Sequence, residues 1–234
     1  MRYLGGIQRG LADVTFGIAR GITTLSDRAQ LPVISTGRPF SFYRNVFFNA
    51  QSEAEVFRTL RNQTVLDIGC GLTPFVPDSF FQRCYAQGID VYGIDPKLSA
   101  LDYTWLDHAA VLFMRGRPID KNAPGAEKRI GAYANHLPFQ NESVDLVLSS
   151  WFLYIWINDA PLQEILQELH RVLRPGGQVR ITPTPSLAHS HLRQWIPEGF
   201  EIAQKFHATP HIFHRPPAYT TFLTKRGTLD GRTA

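Results

Sequence analysis

The sequence predicts an α/β fold in which helices cover both faces of a doubly wound, mostly parallel sheet. Short apolar runs alternate with helical stretches, a pattern typical of parallel strands that are joined by crossover helices. The length of 234 residues suits one such domain with an extension, and a hydrophobic content of 44% is enough for a full core. The predicted strands are residues 64–68, 91–94, 129–134, 144–149, 178–182, 200–206 and 219–224.

Two helices between these strands have clear end signals. A helix over 52–60 has Ser52 as its N-cap and Glu55 three residues later, which is the spacing of a capping box. The clearest helix begins at Asp159 or at the residue before it and ends at Pro175-Gly176-Gly177. We therefore expect 51–234 to form the main domain.

Residues 1–50 are predicted to be a helical extension. Several glycines weaken its helix by up to ~1 kcal/mol each relative to alanine, so the helix must pack on another surface to become ordered. A helix docked on the domain or a lid over the active site is favoured, and a membrane-surface helix or a targeting peptide is the alternative. The apolar positions that recur at steps of three and four are Leu4, Ile7, Leu11, Val14, Ile18, Ile22 and Leu25.

Charge and cysteine content narrow the classes of function. Residues 1–62 contain eight arginines against four acidic residues, whereas 63–234 balance 16 basic against 16 acidic residues, so the net charge of +4 is N-terminal. A balanced main domain disfavours a large nucleic-acid interface. Cys70 and Cys84 have neither a disulfide framework nor a metal-ligand spacing, which favours a cytoplasmic location and no metal site.

Two predicted strands end in residues that suit a nucleotide-like cofactor. The first strand continues into Gly69 and Gly71, which allow the backbone to turn sharply and approach a ligand where a Cβ atom would collide. The second strand ends at Asp95, 24 residues after Gly71, where a carboxylate can accept both hydroxyl hydrogens of a ribose. Together they predict a cofactor site at the carboxyl edge of the sheet.

These motifs resemble those of the class I S-adenosylmethionine-dependent methyltransferases, in the branch that methylates small molecules and quinone-type acceptors (methyltransferase domain 11-like). The resemblance covers about 64–181, and it includes 137–149 around the fourth strand and 171–177 before the fifth. It implies a Rossmann-like sheet of seven strands with the last strand antiparallel. It also implies S-adenosylmethionine as the cofactor and transfer of its methyl group to a small-molecule acceptor by in-line displacement.

The resemblance also assigns cofactor contacts. It places the methionine end of the cofactor at 67–71, the ribose at Asp95, the adenine between 96–97 and 135–137, and the transferred methyl group at 149–151. The residues expected to contact the cofactor are Asp67, Gly69, Cys70, Gly71, Asp95, Pro96, Asn135, His136, Leu137, Ser150 and Trp151.

Two positions depart from the family's pattern. Thr73 stands where the family has a third glycine, and the following Pro74 biases it towards an extended backbone. Tyr133 stands where an Asp commonly binds the adenine amino group, so adenine would be held by stacking and by Asn135. Both departures motivate an alternative function, a non-catalytic scaffold or binding protein that keeps the fold.

The sequence does not identify a catalytic base. Candidates are His189 and His191, which follow the fifth strand, and Tyr43, although a surface role for the two histidines is the competing interpretation. Trp151, at the end of the fourth strand, is the best candidate for an acceptor pocket that would suit a flat or apolar molecule. A nicotinamide-dependent oxidoreductase is a further alternative, because its nucleotide fold shares the glycine turn and the acid after the second strand.

Overall fold

Seven strands form a single sheet in the computed structural model, which describes residues 2–30, 35–99, 103–157, 159–188, 191–207 and 217–227. The strands are β1 (Thr64–Ile68), β2 (Asp90–Ile94), β3 (Arg129–Ile130), β4 (Val144–Ser150), β5 (Leu173–Thr184), β6 (Phe200–His207) and β7 (Ala218–Lys225). The α-helices are α1 (Arg2–Arg28), α2 (Phe40–Tyr43), α3 (Glu53–Leu60), α4 (Phe80–Tyr85), α5 (Trp105–Arg115) and α6 (Asp159–Val172).

The strand order across the sheet is β3-β2-β1-β4-β5-β7-β6. The pairs among β1 to β5 are parallel, and β7 runs antiparallel to both of its neighbours, β5 and β6. The predicted sheet, mostly parallel with an antiparallel last strand, is therefore confirmed.

Strand side chains alternate between two cores, one on each face of the sheet. Leu66 packs in the core that α6 covers, whereas Val65 packs in the core that α3 and α4 cover. Asp67 points to the same face as Val65, since the side-chain period of a strand is two residues. Packing in these two cores sets the orientation of each strand, and it therefore determines which side chains lie at the carboxyl edge of the sheet.

Several predicted boundaries change for local reasons. β3 is shorter than predicted because the chain turns after Ile130, whose carbonyl accepts from the Ala132 amide at 3.1 Å. β5 begins earlier, at Leu173, which pairs with Val144 before a shift in register. The turn at 175–177 therefore lies within the strand rather than before it.

Helix α5 was not predicted from the sequence, although its end signals are present. Thr104 and Asp107 form a complete capping box at its start, and Gly116 has a left-handed backbone at its end. The predicted cap of α3 is confirmed, because the Ser52 hydroxyl accepts from the Glu55 amide.

The predicted N-terminal helix is present as α1, and it docks on the domain along one face. Phe16 packs in the core on the α6 side, and the Thr23 hydroxyl donates to the Ile155 carbonyl at 2.9 Å. None of the helices in the described ranges is both long enough and apolar enough to cross a membrane.

Residues 35–50 connect α1 to the domain and are part of the core. Phe40, Tyr43 and Phe47 are at most 2% exposed and pack in the same core as Val65. On β5, Arg180 donates to the Phe47 carbonyl at 2.9 Å. Burial lowers the pKa of Arg180 to about 10.

We expect Arg180→Ala to lower the free energy of unfolding by about 2 kcal/mol, because it leaves the Phe47 carbonyl without this donor and opens space beneath residues 44–48. Urea denaturation measures the change. Arg174→Ala is the matched control on the same strand. It removes an exposed ion pair with Asp145 and should cost less than about 1 kcal/mol. Equal losses in the two variants would contradict the role assigned to Arg180.

Candidate active site

A cavity of about 450 Å³ opens at the carboxyl edge of β1, β2 and β4. It lies where the ligand crevice of an open α/β sheet is expected. The predicted cofactor residues that line it are Asp67, Gly69, Cys70, Gly71, Asp95, Pro96, Ser150 and Trp151.

The turn after β1 has the conformation that requires glycine. Gly69 and Gly71 have φ values of +66° and +54°, in the left-handed region that L residues rarely adopt. A Cβ atom on Gly69 would lie 2.4 Å from Cγ of Phe152, and one on Gly71 would lie 2.8 Å from the Thr36 carbonyl oxygen. Glycine at these two positions therefore lets Phe152 and the Thr36 carbonyl pack directly against the turn, and both glycines line the cavity.

Asp95 is held in place at the end of β2. Its two carboxylate oxygens accept from the amides of Gly71 at 3.1 Å and Lys97 at 3.0 Å. Burial raises the pKa of Asp95, and these two amide donors oppose that rise. Each oxygen keeps a second lone pair, so the carboxylate can still accept from a ligand hydroxyl.

Asp67 and Tyr43 form a buried pair on the wall of the cavity. The Tyr43 hydroxyl donates to Oδ2 of Asp67 at 2.5 Å, and Tyr43 stacks on Phe80 with ring centroids 4.5 Å apart. Burial raises the pKa of Asp67 to about 7, although the Tyr43 hydrogen bond lowers it. Burial and the neighbouring Asp67 also raise the pKa of Tyr43. The hydroxyl of Tyr43 is therefore a donor to Asp67 and a poor base.

The segment after β4 brings aromatic rings to the cavity. Trp151 has a φ of +57°, which is strained for a bulky residue, and its amide donates to the Thr182 carbonyl at 2.7 Å. The Arg38 guanidinium lies 5.7 Å from the centre of a Trp151 ring. The aromatic residues on this side of the cavity are Trp151, Phe152 and Trp156.

Residues 35–38, here called the strap, cross over the glycine turn. The Leu72 amide donates to the Thr36 carbonyl at 3.2 Å, and the Ser35 amide donates to Asp107 at 2.5 Å. The Arg38 amide donates to the Thr73 hydroxyl at 3.3 Å. The N-terminal extension therefore supplies part of the cavity wall.

Thr73 does not take the extended backbone expected before Pro74. It begins a short 3-10 helix over Thr73–Phe75, and its side chain is buried. Its hydroxyl is the acceptor for the strap, which a glycine could not provide. The departure from the family's pattern at this position thus has a local structural use.

Three predicted cofactor residues are not among those that line the cavity. Asn135 and His136 are exposed, and the Asn135 amide group donates to Glu164 at 3.3 Å. Leu137 is buried in the α6-side core, and Tyr133 is 70% exposed. Contacts of 135–137 with adenine therefore stay a prediction.

The two histidine candidates for a base cannot be placed at the cavity. His189 lies outside the described residues, and only the backbone of His191 is described, within a short 3-10 helix. Of the three candidates, Tyr43 is the one that the structure places on the cavity wall.

Sequence reasoning missed the residues that reach the cavity from distant parts of the chain. Asp27, on the last turn of α1, and the strap residues Thr36 and Arg38 line it, but no local motif marks them. Phe152 and Trp156 both line the cavity and pack against the α6-side core, although their four-residue spacing is more often that of a core face alone.

The described residues fit a nucleotide-like cofactor. Oδ1 of Asp67 and the Ser150 hydroxyl are buried, line the cavity and have no hydrogen-bond partner. Buried polar atoms normally have a partner, so these two suit a polar ligand that completes the site. Gly69 and Gly71 of the turn line the same cavity. Within the described ranges, no cluster of His, Cys, Asp and Glu side chains could hold a metal ion.

Comparisons with known proteins agree on one family. The family model described as "Methyltransferase domain" matches 66–181, about half of the chain. Malonyl-[acyl-carrier protein] O-methyltransferase 1 of Coxiella burnetii is 46% identical over 55 residues, covering 24% of this chain and 18% of that protein. The biotin biosynthesis bifunctional protein BioHC of Cellvibrio japonicus is 31% identical over 118 residues, covering 50% of this chain and 19% of that protein.

These matches span about a fifth of the length of the two curated relatives. Among solved structures, a SAM-dependent methyltransferase from Methanosarcina mazei is similar with a TM-score of 0.46 and 16% identity. That match covers 73% of this chain and 97% of the other.

Proposed function

Because the chain belongs to the class I S-adenosylmethionine-dependent methyltransferases, we propose that it transfers the methyl group of S-adenosylmethionine to a small-molecule acceptor. The observation that carries this proposal is the composition of one cavity. A glycine turn and Asp95 form one part of its wall, and aromatic rings form another. Such a cavity suits a nucleotide-like cofactor next to an apolar acceptor.

When bound, S-adenosylmethionine supplies a methyl group that is already reactive because it is attached to a positively charged sulfur. The residues of the chain therefore need mainly to align the two reactants and exclude water. We assign the methionine end to the turn at 69–71 and to Asp67, and the ribose to Asp95. The Ser150 hydroxyl, which has no hydrogen-bond partner in the described residues, lines the same cavity and is available to a polar group of the cofactor.

Tyr43 fits a positioning role better than the role of a base. Its hydroxyl proton is directed to Oδ2 of Asp67, and its raised pKa keeps it protonated at neutral pH. It orients the carboxylate so that Oδ1 remains available to the cofactor. We therefore assign Tyr43 to positioning of Asp67 and not to removal of a proton from the acceptor.

The acceptor side of the cavity combines aromatic rings with the Arg38 guanidinium. Trp151, Phe152 and Trp156 offer ring faces and edges, and Arg38 lies over Trp151. A flat or apolar molecule would pack on these rings. The two curated relatives are named for malonyl-[acyl-carrier protein] methylation and for biotin biosynthesis, which supports an acceptor group from small-molecule metabolism.

Two measurements test the proposal. Calorimetry with S-adenosylhomocysteine tests the cofactor site, and we expect saturable one-to-one binding that NADH does not displace. Incubation with methyl-labelled S-adenosylmethionine and a metabolite extract should yield a labelled small molecule. Binding without any labelled product would favour a non-catalytic protein that keeps the fold. Displacement by NADH would favour an oxidoreductase.

Trp151→Ala should lower kcat/KM for the acceptor by at least about tenfold while the Kd for S-adenosylhomocysteine changes by less than about threefold. The reason is that the indole ring lies on the aromatic side of the cavity. Initial rates and calorimetry provide the two numbers. Trp105→Ala removes an indole that is 76% exposed on α5, and this control should leave both unchanged. If Trp151→Ala changed the Kd for S-adenosylhomocysteine by a larger factor than kcat/KM for the acceptor, the assignment of Trp151 to the acceptor side would be wrong.

A further inference from the structure

Helix α1 has a row of large aliphatic side chains that no described residue covers. Each is more than half exposed, although such side chains are usually buried. We call this row the outer stripe, and its members are Ile7 (68% exposed), Val14 (57%), Ile18 (59%), Ile22 (62%) and Leu25 (65%).

The outer stripe faces away from the enzyme. The docked face of α1 contains Ala12, Phe16 and Thr23, which are at most 8% exposed. Ile18 follows Phe16 by two residues, which places the two side chains about 200° apart around the helix axis. Packing on the domain therefore explains one face of α1 and leaves the outer stripe without a function.

The acidic groups of α1 are turned towards the domain. Asp13 accepts from the Ser186 amide at 3.2 Å, and Asp27 lines the cavity. Against these two acids, α1 contains four arginines, Arg2, Arg9, Arg20 and Arg28. Of these arginines, Arg9 also faces the domain, with its guanidinium 5.8 Å from the centre of the Phe206 ring. The helix therefore combines a net positive charge with an outer stripe that contains no charged residue.

Four exposed glycines lie along the flank of the outer stripe. Gly6, Gly10, Gly17 and Gly21 have open space where a Cβ atom would stand. Glycine lowers the helix propensity of α1 in water, so these residues do not stabilise the helix by themselves. They let a broad, shallow layer approach the backbone beside the aliphatic side chains.

We propose that α1 is a membrane-surface helix that binds an anionic lipid bilayer through the outer stripe. A long amphipathic helix with arginines and an aliphatic face lies in the plane of the interface and is attracted to anionic headgroups. The charge of α1 is complementary to that surface. The proposal does not depend on methyl transfer.

A second copy of the chain is a poorer occupant of the same face. Two copies of α1 would bring like net charges together. In a coiled-coil alignment of the stripe, the flanking positions include Gln8, Gly10, Thr15 and Gly17, none of which can form an interhelical ion pair. Binding to a lipid bilayer requires no interhelical ion pair and no contact between two helices of like charge.

The placement of α1 would also bring the cavity close to the bilayer. Asp27 lies on the last turn of α1 and lines the cavity, so the helix ends at the cavity wall. An apolar acceptor dissolved in the bilayer would then reach the aromatic wall over a short path. The structure thus specifies which face of α1 would contact the bilayer, and it places the C-terminal end of the helix at the cavity.

Vesicle flotation tests the proposal with the full chain. We expect the protein to float with vesicles of phosphatidylcholine that contain about 30% phosphatidylglycerol, and to bind less in high salt. Ile18→Asp/Ile22→Asp should weaken the partition coefficient at least about tenfold. Tyr85→Asp changes a side chain that is 48% exposed on α4, and it should bind like the wild type.

Thermal melting of each variant without lipid shows that the fold is intact, and Ile7→Asp provides an independent change at the other end of the stripe. Absence of the wild type from the anionic vesicles would overturn the proposal, as would equal binding of the stripe variants. A dimer in lipid-free sedimentation that Ile18→Asp/Ile22→Asp converts to a monomer would identify a second copy as the occupant instead.

Discussion

Replacement of Gly69 by alanine is expected to abolish detectable binding of S-adenosylhomocysteine, a loss of at least about 100-fold in affinity. The new Cβ atom would lie 2.4 Å from Cγ of Phe152, and the φ of +66° is itself unfavourable for alanine. To relieve the contact, either the turn or the Phe152 ring must move into the space assigned to the cofactor. Calorimetry measures the affinity, and thermal melting measures the accompanying loss of stability.

Gly88→Ala is the matched control for this prediction. Gly88 has the same φ of +66°, but nothing lies within 4 Å of the position that its Cβ atom would occupy. Gly88→Ala should therefore lower the free energy of unfolding by about 1–2 kcal/mol, the cost of a left-handed backbone at alanine, and leave cofactor affinity unchanged. If both variants bound the cofactor equally well, the close approach at Gly69 would have no role in binding.

Asp67→Asn is expected to stabilise the free protein above pH 7 while it weakens S-adenosylmethionine binding by at least about tenfold. The folded-state pKa of Asp67 is raised to about 7 from an ordinary value of 3.8, chiefly by burial. As pH rises from about 4 to 7, the unfolded chain ionises this carboxyl first. The wild type therefore loses stability across that window, by up to ~4 kcal/mol.

Asparagine cannot ionise, so the variant lacks this dependence while its side-chain oxygen can still accept from Tyr43. Urea denaturation at pH 5 and pH 8 checks the sign: the advantage of the variant should be larger at pH 8. Tyr43→Phe is the comparison, because it removes the hydroxyl donor to Asp67 and should raise the pKa of Asp67 further. A variant whose advantage does not grow with pH would contradict the raised pKa.

The parts of the fold that sequence reasoning located are those set by local backbone chemistry. The glycines at 69 and 71 mark a turn that few other residues could form, and Ser52 marks a helix start. β1 has the predicted limits, 64–68, because the apolar run is short and ends at that turn. The antiparallel last strand came from the family resemblance and not from periodicity.

The parts that sequence reasoning missed depend on contacts between distant residues. Arg38 reaches the cavity because Thr73, 35 residues later, accepts from its amide. Tyr43 could be suggested as a candidate, but its partner Asp67 is 24 residues away, and only the packed structure shows which atom donates. The left-handed backbone at Trp151 is a further example, since no glycine or asparagine signals it.

The hydrogen bond between the strap and the glycine turn makes opening of the site observable. The Leu72 amide donates to the Thr36 carbonyl, so its hydrogen can exchange with solvent when that contact breaks. The strap also contributes Ser35, Thr36 and Arg38 to the cavity wall. The deuterium uptake rate at Leu72 would thus measure how often the wall opens, and a ligand that holds the wall closed would slow that uptake in proportion to its occupancy.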